Sequence, residues 1–305
     1  MEYREVVIIG AGPAGIATAI QLKRCTIEPL IFEQEAIGGL LRNANLVENY
    51  PGFPEGISGM SLVELFKKHM KNAGVNVTFE RVLELDYRDK IFITKTCKRA
   101  IKSNIIVIAT GTQPVEISIP SVSGDIKNRI VYEIYPIIGI KNKTITIIGA
   151  GDAAFDYALN LCRDNKVIIL NRNEQAKCLP LLLERCMKSE NFSYFRNVDV
   201  REINNEGSSF LVTCTANDNQ KIIRLKADYV IGAIGREPCI DFLSDKLKTV
   251  FENLLKTNTL FMVGDIKNEI YRQTAICVGD GIKAAMKIYK KIGSSTYEDN
   301  CQNGK

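Results

Sequence analysis

"TITIIGAGDAAFDYALNLC" (144–162) decides the fold, because it repeats what "EVVIIGAGPAGIATAIQLKR" (5–24) has already done. Each stretch is an apolar run, then a GxG turn, then residues at helical spacing. A continuous apolar run fits a parallel strand buried on both faces. In the first copy Ala14, Ala17 and Leu22 share one helical face, and "PLIFE" (29–33) supplies the next strand of a βαβ unit. In the second copy "KVIILN" (166–171) takes that place.

The first turn is Gly10-Ala11-Gly12-Pro13-Ala14-Gly15 and the second is Gly149-Ala150-Gly151-Asp152-Ala153-Ala154. The first glycine permits the tight strand-to-helix turn, and the second lets backbone approach a diphosphate. The third allows helix and strand to pack closely. The diphosphate meets the free N–H groups and positive end of the helix. Glu33 follows Gly10 by 23 residues, where a carboxylate binds ribose hydroxyls. The second unit has Asn171 at the matching place, with Arg172 and Lys177 after it. Cations without the acid favour a 2′-phosphate, hence NADP over NAD. Solvated surface cations are the alternative, and NADH stays open.

The other elements surround this repeat. Residues 36–60 read as a long loop. In "SLVELFKKHMKNAG" (61–74), Ser61 and Glu64 have capping-box spacing, Leu62, Leu65, Phe66 and Met70 form an apolar stripe, and Gly74 marks the stop. His69 falls on the polar side as a solvated residue. "VNVTFE", "KIFITKTC" and "IIVIATG" read as strands, as do "SSFLVTCTA", "KIIRLKA" and "YVIGAIG" further on. "PVEISIPSVSG" (114–124) and "REP" (236–238) read as linkers. "LFMVGD" (260–265) reads as a strand and residues 273–292 as a helix, with a frayed tail beyond.

The 305 residues allow two domains of about 150. The net charge of +5 is spread without a basic block, which argues against nucleic acid. No apolar run reaches the ~20 residues that cross a bilayer, and the N-terminus lacks a signal-peptide pattern. The expected place is the cytoplasm, off the membrane. The cysteines stand at 25, 97, 162, 178, 186, 214, 239, 277 and 301, with no CxxC pair. A zinc site or disulfide framework is not expected.

"GAGPAG", "GGLLRNANLVENYPGFPEGISG", "IATGT", "IIGAGDAA", "GAIGREP" and "LFMVGDIKNEIYRQTAICVGDG" together resemble the two-dinucleotide flavoprotein disulfide reductases. Within them the chain is similar to the low-molecular-weight thioredoxin reductases. The resemblance implies an α/β fold of two Rossmann-like domains, of the FAD/NAD(P)-binding three-layer ββα type, the second inserted in the first. It places a discontinuous FAD domain at 1–113 and 241–305, and an NAD(P) domain at 114–240, with hinges at 114–120 and 236–240.

For FAD it implies Gly10, Gly12, Pro13, Ala14, Gly15, Glu33, Gly38, Gly39, Leu40, Leu41, Asn49, Thr110, Gly111, Gly264, Asp265, Arg272, Gln273 and Thr274. For the pyridine nucleotide it implies Gly149, Gly151, Asp152, Ala153, Ala154, Asn171, Arg172 and Lys177. It also implies a homodimer.

Three departures matter. The family's redox CxxC falls on Tyr132 and Tyr135. Leu40 replaces the amide of "GGQL". The family's HRRxxxR pattern reads Asn171 to Lys177 with one Arg kept and one Lys. A phenol forms no disulfide and ionises near pH 10, so the direct thioredoxin reductase reaction is not expected. Tyr132 and Tyr135 are candidates for the flavin face, or else ordinary packing aromatics.

The expected activity is FAD-dependent NAD(P)H oxidation with direct transfer to ferredoxin, flavodoxin, quinone, flavin or oxygen. Alternatives are a sensor or scaffold with poor turnover, or a disulfide reductase using other cysteines. Among those, Cys178 and Cys186 are too far apart for a bridge, and Cys301 is expected as a spare surface thiol.

Overall fold

Alternation along β1 (Glu2–Ile9) shows how the first core is built: Val6 and Ile8 face one hydrophobic cluster, Val7 and Ile9 another. A strand buried on both faces needs a layer on each side. A computed structural model of the chain, which describes residues 1–118, 129–218 and 220–302 with side chains to 293, supplies those layers. The elements run α1 (Pro13–Arg24), β2 (Pro29–Glu33), α2 (Gly59–Asn72), β3 (Val77–Phe79), β4 (Val82–Arg88), β5 (Ile91–Thr96), β6 (Ala100–Ile108) and β7 (Thr112–Pro114). Next come β8 (Ile130–Val131), β9 (Thr144–Ile148), α3 (Asp152–Leu161), β10 (Lys166–Leu170), α4 (Pro180–Met187), β11 (Phe192–Phe195), β12 (Val198–Glu206), β13 (Ser209–Ala216) and β14 (Ile222–Ala227). The last are β15 (Tyr229–Gly232), β16 (Arg236–Pro238), α5 (Asp245–Lys256), β17 (Leu260–Met262) and α6 (Thr274–Gln302).

The chain forms two compact units. The first comprises Met1–Arg42, Glu48–Gln113 and Pro238–Lys305, and the second Asn43–Val47 with Pro114–Glu237. In the first, β3, β2, β1, β6 and β17 lie side by side in parallel. Strand β6 is shared: Ala100–Ser103 also pairs antiparallel with β5, and Ile106–Ile108 pairs with β17. Helices α1 and α6 cover one face with Ile16, Leu22, Ala285 and Ile288. The other face is closed by β4, β5 and α5 through Leu85, Phe92, Leu247 and Leu254.

The second unit has the same plan. A parallel sheet β11-β10-β9-β15-β8 carries α3 and α4 on one face, with Ile145, Ile147, Phe155 and Leu161 between. The antiparallel sheet β12-β13-β14 covers the other through Leu170, Phe210, Val212 and Cys214. Each unit is therefore Rossmann-like, and the second is a three-layer ββα stack.

Several expectations are corrected. Helix α2 begins three residues early: Ser58 is its N-cap, its hydroxyl accepting from Ser61 N–H at 3.1 Å. Its buried face is Leu62, Val63 and Met70, while Leu65 is 44% exposed, because the helix packs on one flank only. "REP" spans the unit boundary at 237/238, as the linker reading expects, but it is also a short strand, β16, paired with β7. Its backbone groups thus find partners that a linker reading does not anticipate. The backbone beyond 292 stays helical to Gln302; the side chain of Cys301 lies outside the described residues, as does part of the 114–124 linker. Strands β4, β7, β8, β11 and β12 and helices α4 and α5 have no counterpart in the sequence reading. Among the described residues no helix is long and apolar enough to cross a membrane.

Candidate functional site

Parallel pairing puts the C-terminal ends of β2, β1, β6 and β17 along one edge of the first unit. There the ladder runs on past the strands: Gly10 N–H donates to Phe32 O at 2.8 Å, Ala109 N–H to Ile9 O at 2.8 Å and Val263 N–H to Ile108 O at 3.0 Å. Open α/β sheets bind ligands at this edge. It gathers Glu33, the Gly10–Gly15 turn, Thr110-Gly111 and Gly264-Asp265.

The turn is built by sterics. Gly10 has φ +106°, and a Cβ there would stand 2.4 Å from Ala109 O. A Cβ on Gly15 would stand 2.0 Å from Gly10 O, so helix α1 meets the strand end at a glycine. Gly12 differs: a Cβ there meets nothing within 4 Å. Backbone at Gly12 therefore borders open space at the N-terminus of α1, and Pro13 fills the first helical position, where an N–H has no intrahelical use. Ala14 is buried.

Glu33 is tied to this turn. Its carboxylate accepts from Ala11 N–H at 2.8 Å and from Glu35 N–H at 2.9 Å. Gly38 N–H donates to Ala11 O at 2.9 Å, and Gly39 lies against Gly12. Leu40 and Leu41 continue that 3-10 turn, Leu41 buried and Leu40 partly so. Thr110 donates its hydroxyl to Cys239 O at 2.7 Å, and Gly111 O accepts from Cys239 N–H. Asn49 and Gln273, far apart in sequence, are joined by an amide hydrogen bond of 2.9 Å. Arg272 and Gln273 precede Thr274, the first residue of α6.

Asp265 sits in a 3-10 turn after β17 and accepts from the Cys277 thiol at 3.1 Å. Asp280 anchors the same turn, taking Gly264 N–H at 3.2 Å, Asn268 at 2.8 Å and Lys267 at 2.8 Å. Asp280 goes unnamed in the sequence reading and Cys277 stands there only among the cysteines; their place one helical turn apart on α6, after "VGD", is the signal that was there.

The second unit repeats the edge. Gly149 N–H donates to Leu170 O at 3.0 Å and Ala233 N–H to Ile148 O at 2.8 Å. Gly149 has φ +118°, with Ala233 O where its Cβ would stand. Gly151 caps α3 without a side chain, and Ala154 is fully buried beneath it. Asp152 accepts from Leu179 N–H at 2.7 Å, and Lys177 N–H donates to Ala150 O at 2.8 Å. Ala153, Arg172 and Lys177 are exposed. Asn171 is 4% exposed, with its amide saturated by protein groups; it builds the loop from inside.

Tyr132 and Tyr135 differ from each other. The Tyr132 ring lies over Gly232, leaving no room for a Cβ there, and its hydroxyl accepts from Ile117 N–H at 2.9 Å. That is a packing role within the second unit. Tyr135 is 40% exposed at the start of a 3-10 turn, its N–H donating to Asn43 at 2.9 Å. His69 is exposed on α2.

Burial raises every thiol that shifts. Cys186 is pushed up to about 12 and Cys214 to about 11. Cys178 is raised by burial and by Asp152, and Cys277 by burial and Asp265. Such thiols are poor nucleophiles near neutral pH.

Known proteins agree with this architecture. The chain is 28% identical to a thioredoxin reductase of Chlamydia pneumoniae, over 96% of this chain and 100% of that one. It is 27% identical to a 34.2 kDa protein in the rubredoxin operon of Clostridium pasteurianum, over 95% and 97%. The solved Lactococcus lactis thioredoxin reductase superimposes with a TM-score of 0.83 at 25% identity, covering 94% of this chain and 98% of its own. A bacillithiol disulfide reductase of Staphylococcus aureus shares the fold, with a TM-score of 0.73 at 20% identity over 95% and 99%. The family model described as pyridine nucleotide-disulphide oxidoreductase matches residues 4–281. With two glycine turns at the carboxyl edges of two parallel sheets, the chain belongs to the pyridine nucleotide-disulphide oxidoreductase family.

Proposed function

We propose that the protein is an FAD-dependent NAD(P)H oxidoreductase that hands electrons directly to an acceptor, with no dithiol between. The observation that carries this is a pair of prefolded glycine turns in a chain that contains no CxxC.

FAD fits the first unit on that unit's own features. Open space over Gly12 and the α1 N-terminus suit a diphosphate, held by Gly10, Gly12, Pro13, Ala14 and Gly15. Glu33, already oriented by two backbone N–H groups, keeps lone pairs for ribose hydroxyls. Asp265 would take the ribityl chain, with Gly38 to Leu41, Asn49, Thr110-Gly111, Gly264 and Arg272 to Thr274 around the ring. When bound, FAD supplies a two-electron acceptor for a hydride and a donor to the next carrier. The second unit would hold the dinucleotide at Gly149, Gly151 and the α3 N-terminus with Asp152 to Ala154. Arg172 and Lys177 favour NADPH, and NADH is the other choice. We place the protein in the cytoplasm as a homodimer, which sedimentation of the purified chain tests.

The acceptor we favour is a small electron-carrier protein such as ferredoxin or flavodoxin. The Clostridium relative, named for a rubredoxin operon, supports that class. Quinone, free flavin and oxygen are the others. A second reading, disulfide reduction through other cysteines, draws on the relatives' names; the raised pKa values of Cys178, Cys186, Cys214 and Cys277 speak against it. Anaerobic mixing of the yellow protein with NADPH, then NADH, followed by an acceptor screen, decides. Rapid flavin bleaching with reoxidation by ferredoxin or flavodoxin supports the proposal. No bleaching with either nucleotide points to a sensor, and reoxidation by thioredoxin alone points to a disulfide reductase.

A further inference from the structure

Taking the second unit as the NAD(P)H domain, we propose that Asn171 and Tyr194 are positioning residues for nucleotide selectivity. Together they hold the 171–177 loop in the shape that offers Arg172 and Lys177 to a 2′-phosphate.

Every polar group of Asn171 is used. Its N–H donates to Phe195 O at 2.9 Å and its carbonyl accepts from Val198 N–H at 2.9 Å. Its amide nitrogen donates to Gln175 O at 3.1 Å and to the Tyr194 hydroxyl at 2.8 Å, and its amide oxygen accepts from Asn173 N–H at 3.1 Å. A buried amide satisfied on all sides has one favourable orientation. The contacts at 173 and 175 straddle residue 174 and so define the turn. Tyr194 is itself fixed, its ring edge-on to Phe155 of α3 at 5.5 Å. The far end of the loop is docked by Lys177 N–H on Ala150 O.

The loop's outward chemistry follows. Among the described residues neither Arg172 nor Lys177 enters an ion pair, and both are exposed. Glu174 is the loop's one acid, and Arg196 neutralises it at 2.8 Å. Two uncommitted cations on a loop held from beneath suit a doubly charged phosphate. Loosening the support spreads the cations over more positions, and the phosphate contact weakens while the rest of the nucleotide is unaffected.

Tyr194→Phe tests this, because it removes one hydroxyl and keeps the ring against Phe155. The probes are adenosine 2′,5′-bisphosphate and 5′-AMP, titrated calorimetrically into the FAD-loaded full chain. The wild type is expected to prefer the bisphosphate. Tyr194→Phe should weaken the bisphosphate about fivefold, the worth of one neutral hydrogen bond, and leave 5′-AMP unchanged. Asn171→Ala should weaken it further. In flavin bleaching, the half-saturating NADPH concentration should rise with the limiting rate unchanged. Equal weakening of both probes, or no change in their ratio, overturns the inference while leaving the nucleotide domain standing. A wild type that binds the two probes equally removes the NADPH reading, and the inference with it.

Discussion

Single glycines separate folding from binding in this chain. Gly10 and Gly12 sit two residues apart and obey different constraints. At Gly10 an alanine would adopt φ +106° and press on Ala109 O. Left-handed backbone alone costs an L-residue about 1–2 kcal/mol, so Gly10→Ala should lower the melting temperature of even the flavin-free protein. At Gly12 the added methyl meets no protein atom. Gly12→Ala should leave stability within about 0.5 kcal/mol and still reduce FAD affinity by about tenfold or more, because the diphosphate needs that space. Calorimetric melting and flavin content measure the two effects separately; a Gly12→Ala protein with full FAD affinity would move the diphosphate elsewhere. Tyr132 invites a similar test. Its hydroxyl serves Ile117 N–H, so Tyr132→Phe should cost about 1 kcal/mol of stability. The rate of flavin bleaching by NADPH should not change, and a changed rate would argue for a place at the flavin face.

Helix α2 shows what the sequence reveals of an element and what it hides. The periodicity of Leu62, Phe66 and Met70 and the stop at Gly74 are legible, but two serines compete for the cap. Ser61 and Glu64 have capping-box spacing, whereas the structure caps with Ser58, which shares a hydroxyl hydrogen bond of 2.8 Å with Ser61. Capping differs between them by which backbone N–H is left over, and that depends on where the preceding loop arrives. Ser58→Ala should destabilise by about 1 kcal/mol and Ser61→Ala by less, as denaturant unfolding would show; the reverse order restores the sequence assignment. Helix α5 carried a local signal that the sequence analysis did not use: Leu247, Val250, Phe251, Leu254 and Leu255 follow helical spacing behind the Ser244 cap. By contrast, Asn171 follows the end of β10 and Tyr194 lies on β11, 23 residues away. No local pattern joins them, so the sequence suggests Asn171 as a nucleotide contact when its amide is occupied within the loop. The glycine turns were readable because their demand is local; the loop's support is not.

The two units own separate cores, so their stabilities respond to different solutes. Val6, Ile8 and Phe92 belong to clusters drawn from the first unit alone, and Ile147, Phe155 and Phe210 to clusters from the second. A ligand stabilises what it binds by mass action. FAD should therefore raise the melting transition of the first unit, and adenosine 2′,5′-bisphosphate that of the second. Asp156 adds a pH signature to the second alone. Burial raises its carboxyl to about 6, against the pull of Asn45 N–H, which donates to it at 2.9 Å, and of nearby Arg163. A carboxyl whose folded pKa exceeds its unfolded value near 3.9 binds protons more tightly when folded. Its contribution is full below about pH 4 and is lost as pH rises through 6, a swing of about 2–3 kcal/mol. Asp156→Asn cannot titrate, so the wild-type minus variant difference in the second transition should fall with that sign between pH 4 and 7. The first transition should show no such difference. A difference of opposite sign would mean that the Asn45 and Arg163 contacts outweigh burial, and that Asp156 is held as a carboxylate.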